Sequence, residues 1–425
     1  MEKQIIKNDV LNEQYYLYKH KSGLSIILYP MEGYSSAYAL FGTNYGSIDT
    51  SFKTQNDKGF ITVPEGIAHF LEHKLFESEE GDAFSLFAKT GASANAFTSF
   101  DKTCYLFSTT DNFDESLKAL ITFVQAPYFT QETVEKEQGI IGQEIKMYED
   151  DPNWRVFFNL LTALYVNNPV RIDIAGTTAS ISKIDKDLLY SCYKTFYNLN
   201  NMVVCIAGNF DENSAARIIE ENLKECEKVE VISKVPDEPE TVAKKEFVQN
   251  LSVAMPLFNI GYKEKPVLKE EELEIQIRCE LILSAIVGRG SDLYKEMYDS
   301  SLINTTFGTE VFSGRGYFVN IFSGESRNPK QVMEKIINSI ESYKEKGIDE
   351  DTFKRVKKAM YGNSIMLFND VEGVANELVA SYFADGGIYD VIDVIKAVTL
   401  EDINEQLRNS FNKKYMSISI VNPVE

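Results

Sequence analysis

The sequence predicts an α+β fold with two similar domains, each an antiparallel or mixed sheet covered by helices, that form a clamshell around a central cavity. Three observations lead to this prediction. The chain has 425 residues, 44% of them hydrophobic, which is too long for one ordinary core. Both halves pass through strands, helices, strands and helices in the same order. Each half also closes with a helix that carries a late aromatic residue, Phe196 or Phe411, followed shortly by a strand.

The first half combines strand-like alternation with segments of helical periodicity. A polar, glycine-containing segment from Gly46 to Pro64 is expected to be a loop that leads into the first helix. We predict strands at 15–20, 24–29, 36–41 and 202–208, a hairpin formed by 94–99 and 103–108, and helices at 64–76, 83–89, 112–125, 131–150, 153–165, 182–197 and 211–226.

A linker separates the halves at residues 227–245, which contain Pro236, Pro239, many charges and few large apolar residues. The predicted domains are therefore 1–226 and 246–425. In the second half we predict strands within 247–262, near 304–312 and at 317–322, helices at 269–287, 329–346, 350–383 (with interruptions) and 400–411, and a closing strand at 415–421.

The composition excludes several classes of function. A net charge of −21 argues against electrostatic binding of nucleic acid or of an anionic membrane. The five cysteines are scattered without C-x-x-C spacing, which is typical of reduced thiols. There is no apolar run near the ~20 residues of a membrane span, and the N-terminal residues do not resemble a signal segment. We therefore expect a cytoplasmic protein.

Two of the three histidines lie four residues apart in the segment Gly66-Ile67-Ala68-His69-Phe70-Leu71-Glu72-His73. Pro64 and Glu65 favour a helix start, and a helix places His69 and His73 one turn apart on the same face. Neutral imidazoles bind zinc well, and Glu72 points the same way and can take a proton from a water molecule. This H-x-x-E-H order is a known catalytic motif. The pair alone is also compatible with surface histidines or with histidines satisfied in a core.

The predicted helix at 131–150 carries two glutamates on its apolar face. Glu137 and Glu144, seven residues apart, fall on the stripe formed by Val134, Ile141, Ile145 and Tyr148. Charged groups on a buried face need partners, because unpaired burial is costly. These glutamates either form salt bridges at a domain edge or contribute the ligand that the histidine pair lacks.

These motifs resemble the pitrilysin/insulinase family of zinc metallopeptidases, the inverzincins, and in particular the bacterial members of about this length. The resemblance spans nearly the whole chain and is strongest from Gly66 to Trp154. It implies that His69, His73 and Glu144 bind one Zn²⁺ per chain and that Glu72 is the general base. It also implies that Glu137 takes part in catalysis by orienting or polarising a zinc ligand.

Two further segments fit this resemblance. The stretch Ala94-Asn95-Ala96-Phe97-Thr98-Ser99 resembles the edge strand on which these peptidases bind an extended peptide by strand addition, so Ala94, Asn95, Ala96 and Phe97 are expected to bind substrate. Trp154 and Phe157 lie where family members have aromatic residues that line a substrate pocket. Both are equally compatible with core packing, and Trp154 with anchoring the start of a helix.

One departure from the family concerns an arginine and a tyrosine that close over the bound peptide in active members. The corresponding stretch, Leu293 to Phe307, has neither at the expected place, since Tyr294 and Tyr298 come too early. Arg289, Arg315 and Tyr317 are nearby but out of register. The missing pair predicts a heterodimer with a homologous subunit that lacks the zinc motif and supplies the pair, or else an inactive protein.

The resemblance implies a zinc-dependent peptidase that hydrolyses unfolded peptides or protein segments in an enclosed chamber, with a partner subunit. Two alternatives stay open. One is a catalytically silent scaffold subunit of a heteromeric complex, against which the intact Glu72 beside His69, His73 and Glu144 argues. The other is a zinc-binding, modification-assisting factor that hydrolyses nothing useful alone.

Overall fold

The computed structural model describes residues 1–79 and 81–424, and they form two compact units. Unit 1 comprises Met1–Ile145, Asp173–Lys234 and Ile365–Tyr389, and unit 2 comprises Lys146–Ile172, Val235–Ser364 and the segment from Asp390. Each unit has its own hydrophobic core, packed between a sheet and helices. The predicted α+β class with two similar domains is confirmed.

The strands are β1 (Glu2–Asn8), β2 (Glu13–Lys19), β3 (Ser25–Pro30), β4 (Ala37–Thr43), β5 (Ser51–Thr54), β6 (Ile61–Thr62), β7 (Glu77–Ser78), β8 (Gly81–Asp82), β9 (Ser93–Thr98), β10 (Thr103–Thr109), β11 (Met202–Gly208), β12 (Val231–Ser233), β13 (Glu246–Leu251), β14 (Leu257–Lys263), β15 (Gly308–Gly314), β16 (Tyr317–Glu325) and β17 (Met416–Pro423). The helices are α1 (Ile67–Leu75), α2 (Phe84–Thr90), α3 (Phe113–Val124), α4 (Gln131–Asp150), α5 (Pro152–Leu164), α6 (Thr178–Ile181), α7 (Lys186–Phe196), α8 (Glu212–Asn222), α9 (Lys269–Val287), α10 (Asp292–Asp299), α11 (Pro329–Lys346), α12 (Glu350–Met366), α13 (Val371–Phe383), α14 (Asp390–Ala397) and α15 (Leu400–Asn409).

The main sheet of unit 1 has the strand order β1-β2-β3-β11-β4-β10-β9. Strands β3 and β11 are parallel, and the other neighbours are antiparallel, so the sheet is mixed. Strand β9 lies at one edge and pairs with β10 alone among the described strands. The predicted hairpin of 94–99 and 103–108 is this pair.

The sheet of unit 2 repeats this pattern with the order β13-β17-β14-β16-β15. As β3 is parallel to β11, so β13 is parallel to β17, and the remaining pairs are antiparallel in both sheets. The equivalent of β9 is therefore the edge strand β15. The repeat that the sequence shows only as an order of elements is present as a shared topology.

The two units exchange helices along the chain. Helix α5, from the first half, packs on β14 and β17 in unit 2, whereas α13, from the second half, packs on β4 and β11 in unit 1. The change from unit 1 to unit 2 after Lys234 falls inside the predicted linker. The boundaries 1–226 and 246–425 therefore describe halves of the sequence, and the compact units differ from them at 146–172 and 365–389.

Several predicted segments differ from the structure. The helix predicted at 182–197 begins at Lys186, because Asp185 is its N-cap with an extended backbone. The segment 46–64 contains the short strands β5 and β6, and β5 also pairs with β12. Helix α8 ends at Asn222, before the predicted end at 226, because Leu223 adopts an extended backbone conformation. In the described part of the chain, no helix combines the length and apolar character that crossing a bilayer requires.

A glycine sets the start of α1, the helix that carries the histidine pair. Gly66 is its N-cap with φ of 87°, a conformation that residues with a Cβ rarely adopt. A Cβ at this position would lie 2.4 Å from the carbonyl oxygen of Ala175. The helix then buries most of its surface, including His69 and Glu72, against β9, β10 and α7.

Candidate metal centre

Helices α1 and α4 bring three potential metal ligands together in unit 1. The potential ligand atoms of His69, His73 and Glu144 lie within 4.8 Å of one another, and they are the one such group among the described residues. The Nε2 atom of His69 is 3.6 Å from one carboxylate oxygen of Glu144, and Nε2 of His73 is 3.4 Å from the other. The three residues predicted from the sequence as ligands therefore converge.

The spacing of these atoms fits a zinc ion. Two atoms bound tetrahedrally to zinc at about 2.0–2.1 Å lie about 3.3 Å apart. The two imidazole-to-carboxylate distances, 3.4 and 3.6 Å, are close to that edge length. Two imidazole nitrogens and one carboxylate are also the donor set of catalytic zinc sites that keep a fourth position open. The residues present therefore fit the zinc that the family resemblance implies.

Glu137 orients His73 from the opposite side of the ring. Its Oε1 lies 2.9 Å from Nδ1 of His73, and its side chain is 8% exposed. When His73 carries a proton on Nδ1 and none on Nε2, the lone pair of Nε2 points toward Glu144. A metal ligand needs this tautomer. Burial lowers the pKa of His73, but the hydrogen bonds to Glu137 and Glu144 outweigh it and raise that pKa to about 10.

His69 has a different environment. Burial and the neighbouring His73 lower its pKa to about 4, so this imidazole is neutral at pH 7. Its Nδ1 is buried, and none of the described residues accepts or donates a hydrogen bond there. The two rings lie 4.6 Å apart between centroids. The site thus presents two different imidazoles. His69 is neutral, whereas His73 must lose a proton from Nε2 when this nitrogen binds a metal.

Glu72 lies on the same helix, one position before His73, and its side chain is buried. The hydroxyl of Thr98 donates a hydrogen bond of 2.6 Å to Oε2 of Glu72. Burial raises the pKa of Glu72, while Thr98 and His73 oppose the rise. Thr98 was not among the predicted site residues, and the sequence signal for it is only that it lies within the predicted edge strand 94–99, next to Phe97.

The predicted substrate residues Ala94, Asn95, Ala96 and Phe97 all lie on β9, at the edge of the sheet. The N–H of Ser99 donates to the carbonyl of Lys102, which closes the hairpin. Because bonded pairs alternate along an antiparallel ladder, the backbone groups of residues 94, 96 and 98 face the open edge. The N–H of Ala96 is bonded there by the side chain of Asn95. The substrate role of this edge stays a prediction.

Trp154 and Phe157 lie on α5 and belong to unit 2, whereas Phe97 belongs to unit 1. Trp154 is half-buried and stacks on Tyr148 at 4.5 Å between ring centroids. Phe157 packs edge-on against Phe312 at 5.4 Å. Both aromatic residues thus make packing contacts within unit 2, and their role in a substrate pocket stays a prediction.

The stretch Leu293 to Phe307, which corresponds to the family segment with the arginine and tyrosine but lacks them at the expected place, lies in unit 2. It covers most of α10 and the loop before β15. Tyr294 and Tyr298 stack on each other within α10. Arg315 occupies the turn between β15 and β16, and Tyr317 is buried against Phe312. Buried in this way, Tyr317 is part of the packing of unit 2.

Comparisons with known proteins agree with this geometry. Residues 63–178, which contain the whole candidate site, match the family model described as insulinase, peptidase family M16. Residues 183–360 match the model described as the peptidase M16 inactive domain. The protein YmfH of Bacillus subtilis, named an uncharacterized zinc protease, is 39% identical over 423 residues, 98% of this chain and 99% of YmfH. This chain belongs to the M16 peptidase family. The predicted resemblance to the pitrilysin/insulinase family is thereby confirmed.

Solved structures show the same M16 architecture. The structure of an M16-like peptidase from Alicyclobacillus acidocaldarius has a TM-score of 0.93 and 34% identity, and covers 100% of this chain and 99% of its own. A chain of complex III from Candida albicans has a TM-score of 0.75 at 14% identity, covering 96% of this chain and 95% of its own. At that identity the likeness concerns the fold alone. The fold therefore does not by itself decide the activity of this chain, and the site residues must do so.

Proposed function

We propose that this M16 family member is a zinc-dependent peptidase that hydrolyses unfolded peptides or protein segments. The observation that carries the proposal is the convergence of His69, His73 and Glu144 with Glu72 alongside them on α1. A protein that used this site only to hold a structural ion would have no need of a buried carboxylate beside the ligands. Structural zinc sites are instead usually closed by four protein ligands.

The roles of the residues follow from their positions. His69, His73 and Glu144 would hold the zinc, and Glu137 would fix the ring and tautomer of His73. When bound, zinc supplies a Lewis acid that polarises the scissile carbonyl and makes the attacking water more acidic. Glu72 accepts the proton of that water and transfers it to the leaving amine. The open edge of β9 pairs with the backbone of an extended peptide, and Phe97 on that strand contacts its side chains.

The active form in this proposal is a heterodimer. The stretch Leu293 to Phe307 lacks the arginine and tyrosine that family resemblance calls for, so a homologous subunit without the zinc motif supplies them. Cationic and hydroxyl donors of this kind stabilise the oxyanion that develops in acyl transfer. Hydrolysis in an enclosed chamber belongs to the same proposal and rests on the same resemblance.

The same departure favours one competing function, a zinc-binding scaffold or modification-assisting subunit that hydrolyses nothing by itself. One experiment separates the two. Wild type, Glu72→Gln and the control Glu135→Gln, which changes an exposed glutamate on α4, are assayed for zinc content and for hydrolysis of quenched fluorescent peptides. Each protein is measured alone and with a homologous subunit from the same source.

The proposal expects hydrolysis by wild type and Glu135→Gln in the presence of the partner, and none by Glu72→Gln with its zinc retained. Hydrolysis by Glu72→Gln at the wild-type rate would show that the base is assigned wrongly. Stoichiometric zinc without hydrolysis in either condition would favour the scaffold function. Absence of zinc from the wild-type protein, with no uptake on addition, would contradict both.

A further inference from the structure

Thr98 connects the candidate peptide-binding strand β9 to the candidate general base Glu72. A peptidase must hold these two parts in a fixed position relative to each other. Its backbone belongs to the last residue of β9, and its hydroxyl is bonded to the carboxylate of Glu72 on α1. We infer that Thr98 is a positioning residue that fixes the carboxylate of the general base relative to the peptide-binding edge. The inference rests on the proposed peptidase function and adds a residue to it.

The hydrogen bonds around Thr98 assign its proton to Glu72. The hydroxyl of Thr103 donates to the carbonyl oxygen of Tyr45 at 2.9 Å, so its proton is already used. Thr98 Oγ1 lies 3.3 Å from that hydroxyl oxygen but only 2.6 Å from Oε2 of Glu72. The shorter contact is in the range of a hydrogen bond to a charged acceptor. Thr98 therefore donates to the carboxylate.

This bond holds the carboxylate of Glu72 by one of its oxygens. The hydroxyl bond is made to Oε2, and the backbone N–H of Thr98 also approaches the carboxylate closely enough to lower its pKa. A general base needs such an arrangement, because one oxygen must stay open to the water while the side chain is held in a single rotamer. Without the Thr98 hydroxyl, the carboxylate loses this short hydrogen bond of 2.6 Å.

The attachment of Thr98 to the sheet makes the bond rigid. Strand β9 pairs along its length with β10, and β10 pairs on its other side with β4. Thr98 is opposite Thr103, whose hydroxyl is fixed to Tyr45. The backbone groups of Ala94, Ala96 and Thr98 share the open edge. A peptide paired with this edge is therefore placed by the same strand that places the base.

The test compares two substitutions of Thr98 with a control on the same strand. Thr98→Val keeps the shape and removes the hydroxyl, Thr98→Ser keeps the hydroxyl, and Ser93→Ala removes an exposed hydroxyl at the other end of β9. Because a lost hydrogen bond to a charged group and a misplaced catalytic group both reduce the rate, we expect Thr98→Val to lower kcat about 10- to 100-fold. KM, zinc content and Tm stay near wild type, and Thr98→Ser restores most of kcat.

Several kinetic results would overturn the inference. They are a kcat of Thr98→Val within twofold of wild type, equal losses in Thr98→Ser and Thr98→Val, and a loss shared by Ser93→Ala. A change confined to KM would assign Thr98 to substrate binding instead. A fall in zinc content or Tm that accounts for the lost rate would assign it to stability.

Crystal structures of the zinc-loaded proteins give a second measurement that does not depend on activity. We expect the Glu72 carboxylate to turn away from its wild-type position in Thr98→Val and to keep it in Thr98→Ser. An unmoved carboxylate in Thr98→Val would contradict the inference even if the peptidase assay succeeds. If no condition gives hydrolysis while the carboxylate moves as expected, the proposed function fails and the positioning contact stands.

Discussion

The Nδ1 atom of His73 and the Oε1 atom of Glu137 lie 2.9 Å apart, and this bond joins α1 to α4 within unit 1. Glu137 and Glu144 are seven residues apart on α4, so both lie on the same face and hold His73 from two sides. One carboxylate bonds Nδ1, and the other faces Nε2 where a metal would bind. We therefore expect the affinity for metal to depend on Glu137, which holds His73 but is not itself a candidate ligand.

The first prediction concerns Glu137→Gln, which keeps the size of the side chain and removes its charge. We expect zinc affinity to fall about 10- to 100-fold, because His73 becomes a less basic and less well oriented ligand. Competition with a chelator of known affinity measures the change. Glu135→Gln, an exposed glutamate two residues earlier, is the control and is expected to bind zinc as wild type does. Equal affinities of all three proteins would show that Glu137 has no influence on the metal.

The second prediction concerns protons released on zinc binding. His73 has a pKa raised to about 10, so it is protonated at pH 7 and must lose this proton to bind zinc through Nε2. His69, with a pKa lowered to about 4, contributes none. We expect His73 to release about one proton at pH 7, compared with about a quarter for a histidine of ordinary pKa. Zinc affinity should therefore rise with pH around neutrality.

Titration calorimetry at pH 7 in two buffers of different ionisation enthalpy counts these protons. Glu137→Gln is the matched comparison, because removing the Glu137 carboxylate lowers the pKa of His73 and should reduce the number released. Release of no more than about a quarter of a proton by the wild-type protein would contradict the raised pKa of His73.

Local rules in the sequence singled out the candidate ligands, and the family resemblance assigned the metal to His69, His73 and Glu144 rather than to Glu137. Residues at i and i+4 share a helix face, which places His69 beside His73. Glutamates on an apolar stripe need partners, which singles out Glu137 and Glu144. The edge position of β9 was expected from the family resemblance, and the sheet order confirms the edge.

The sequence was not sufficient to predict which distant elements pack against one another. Periodicity shows which face of α5 or α13 is buried but not which sheet covers it, so the exchange of these helices between units was not predicted. The contact of Thr98 with Glu72 spans 26 residues and depends on how β9 packs beside α1. Neither residue carries a local signal of that contact.

The third prediction concerns Gly66→Ala at the start of α1. The backbone of Gly66 has φ of 87°, and an added Cβ would lie 2.4 Å from the carbonyl oxygen of Ala175. We expect a loss of about 2 kcal/mol or more in unfolding free energy and weaker zinc binding, because the helix start must shift. Gly59→Ala, where the added Cβ meets nothing within 4 Å, is the control and should change stability by less than about 0.5 kcal/mol. Similar effects of the two substitutions would contradict the steric argument.

The fourth prediction concerns Glu264 in unit 2. Its carboxylate accepts hydrogen bonds from the Phe411 N–H at 2.7 Å and the Asn320 side chain at 3.3 Å, yet burial dominates and raises its pKa from 4.5 to about 7. Between these two values the folded protein binds more protons than the unfolded chain. The contribution of Glu264 to the unfolding free energy therefore falls as pH rises from about 4.5 to about 7, and this contribution does not fall further above that range.

Glu264→Gln keeps an oxygen acceptor for both donors and has no charge to bury. We therefore expect it to be more stable than wild type at pH 8, with an advantage that grows by roughly 2 kcal/mol between pH 5 and pH 8. Thermal unfolding of both proteins across this range measures the difference, with Glu345→Gln, an exposed glutamate on α11, as the control. Any pH dependence from the histidine site is common to all three proteins and cancels in the comparison. A constant difference between Glu264→Gln and wild type would mean that Glu264 ionises normally in the folded protein.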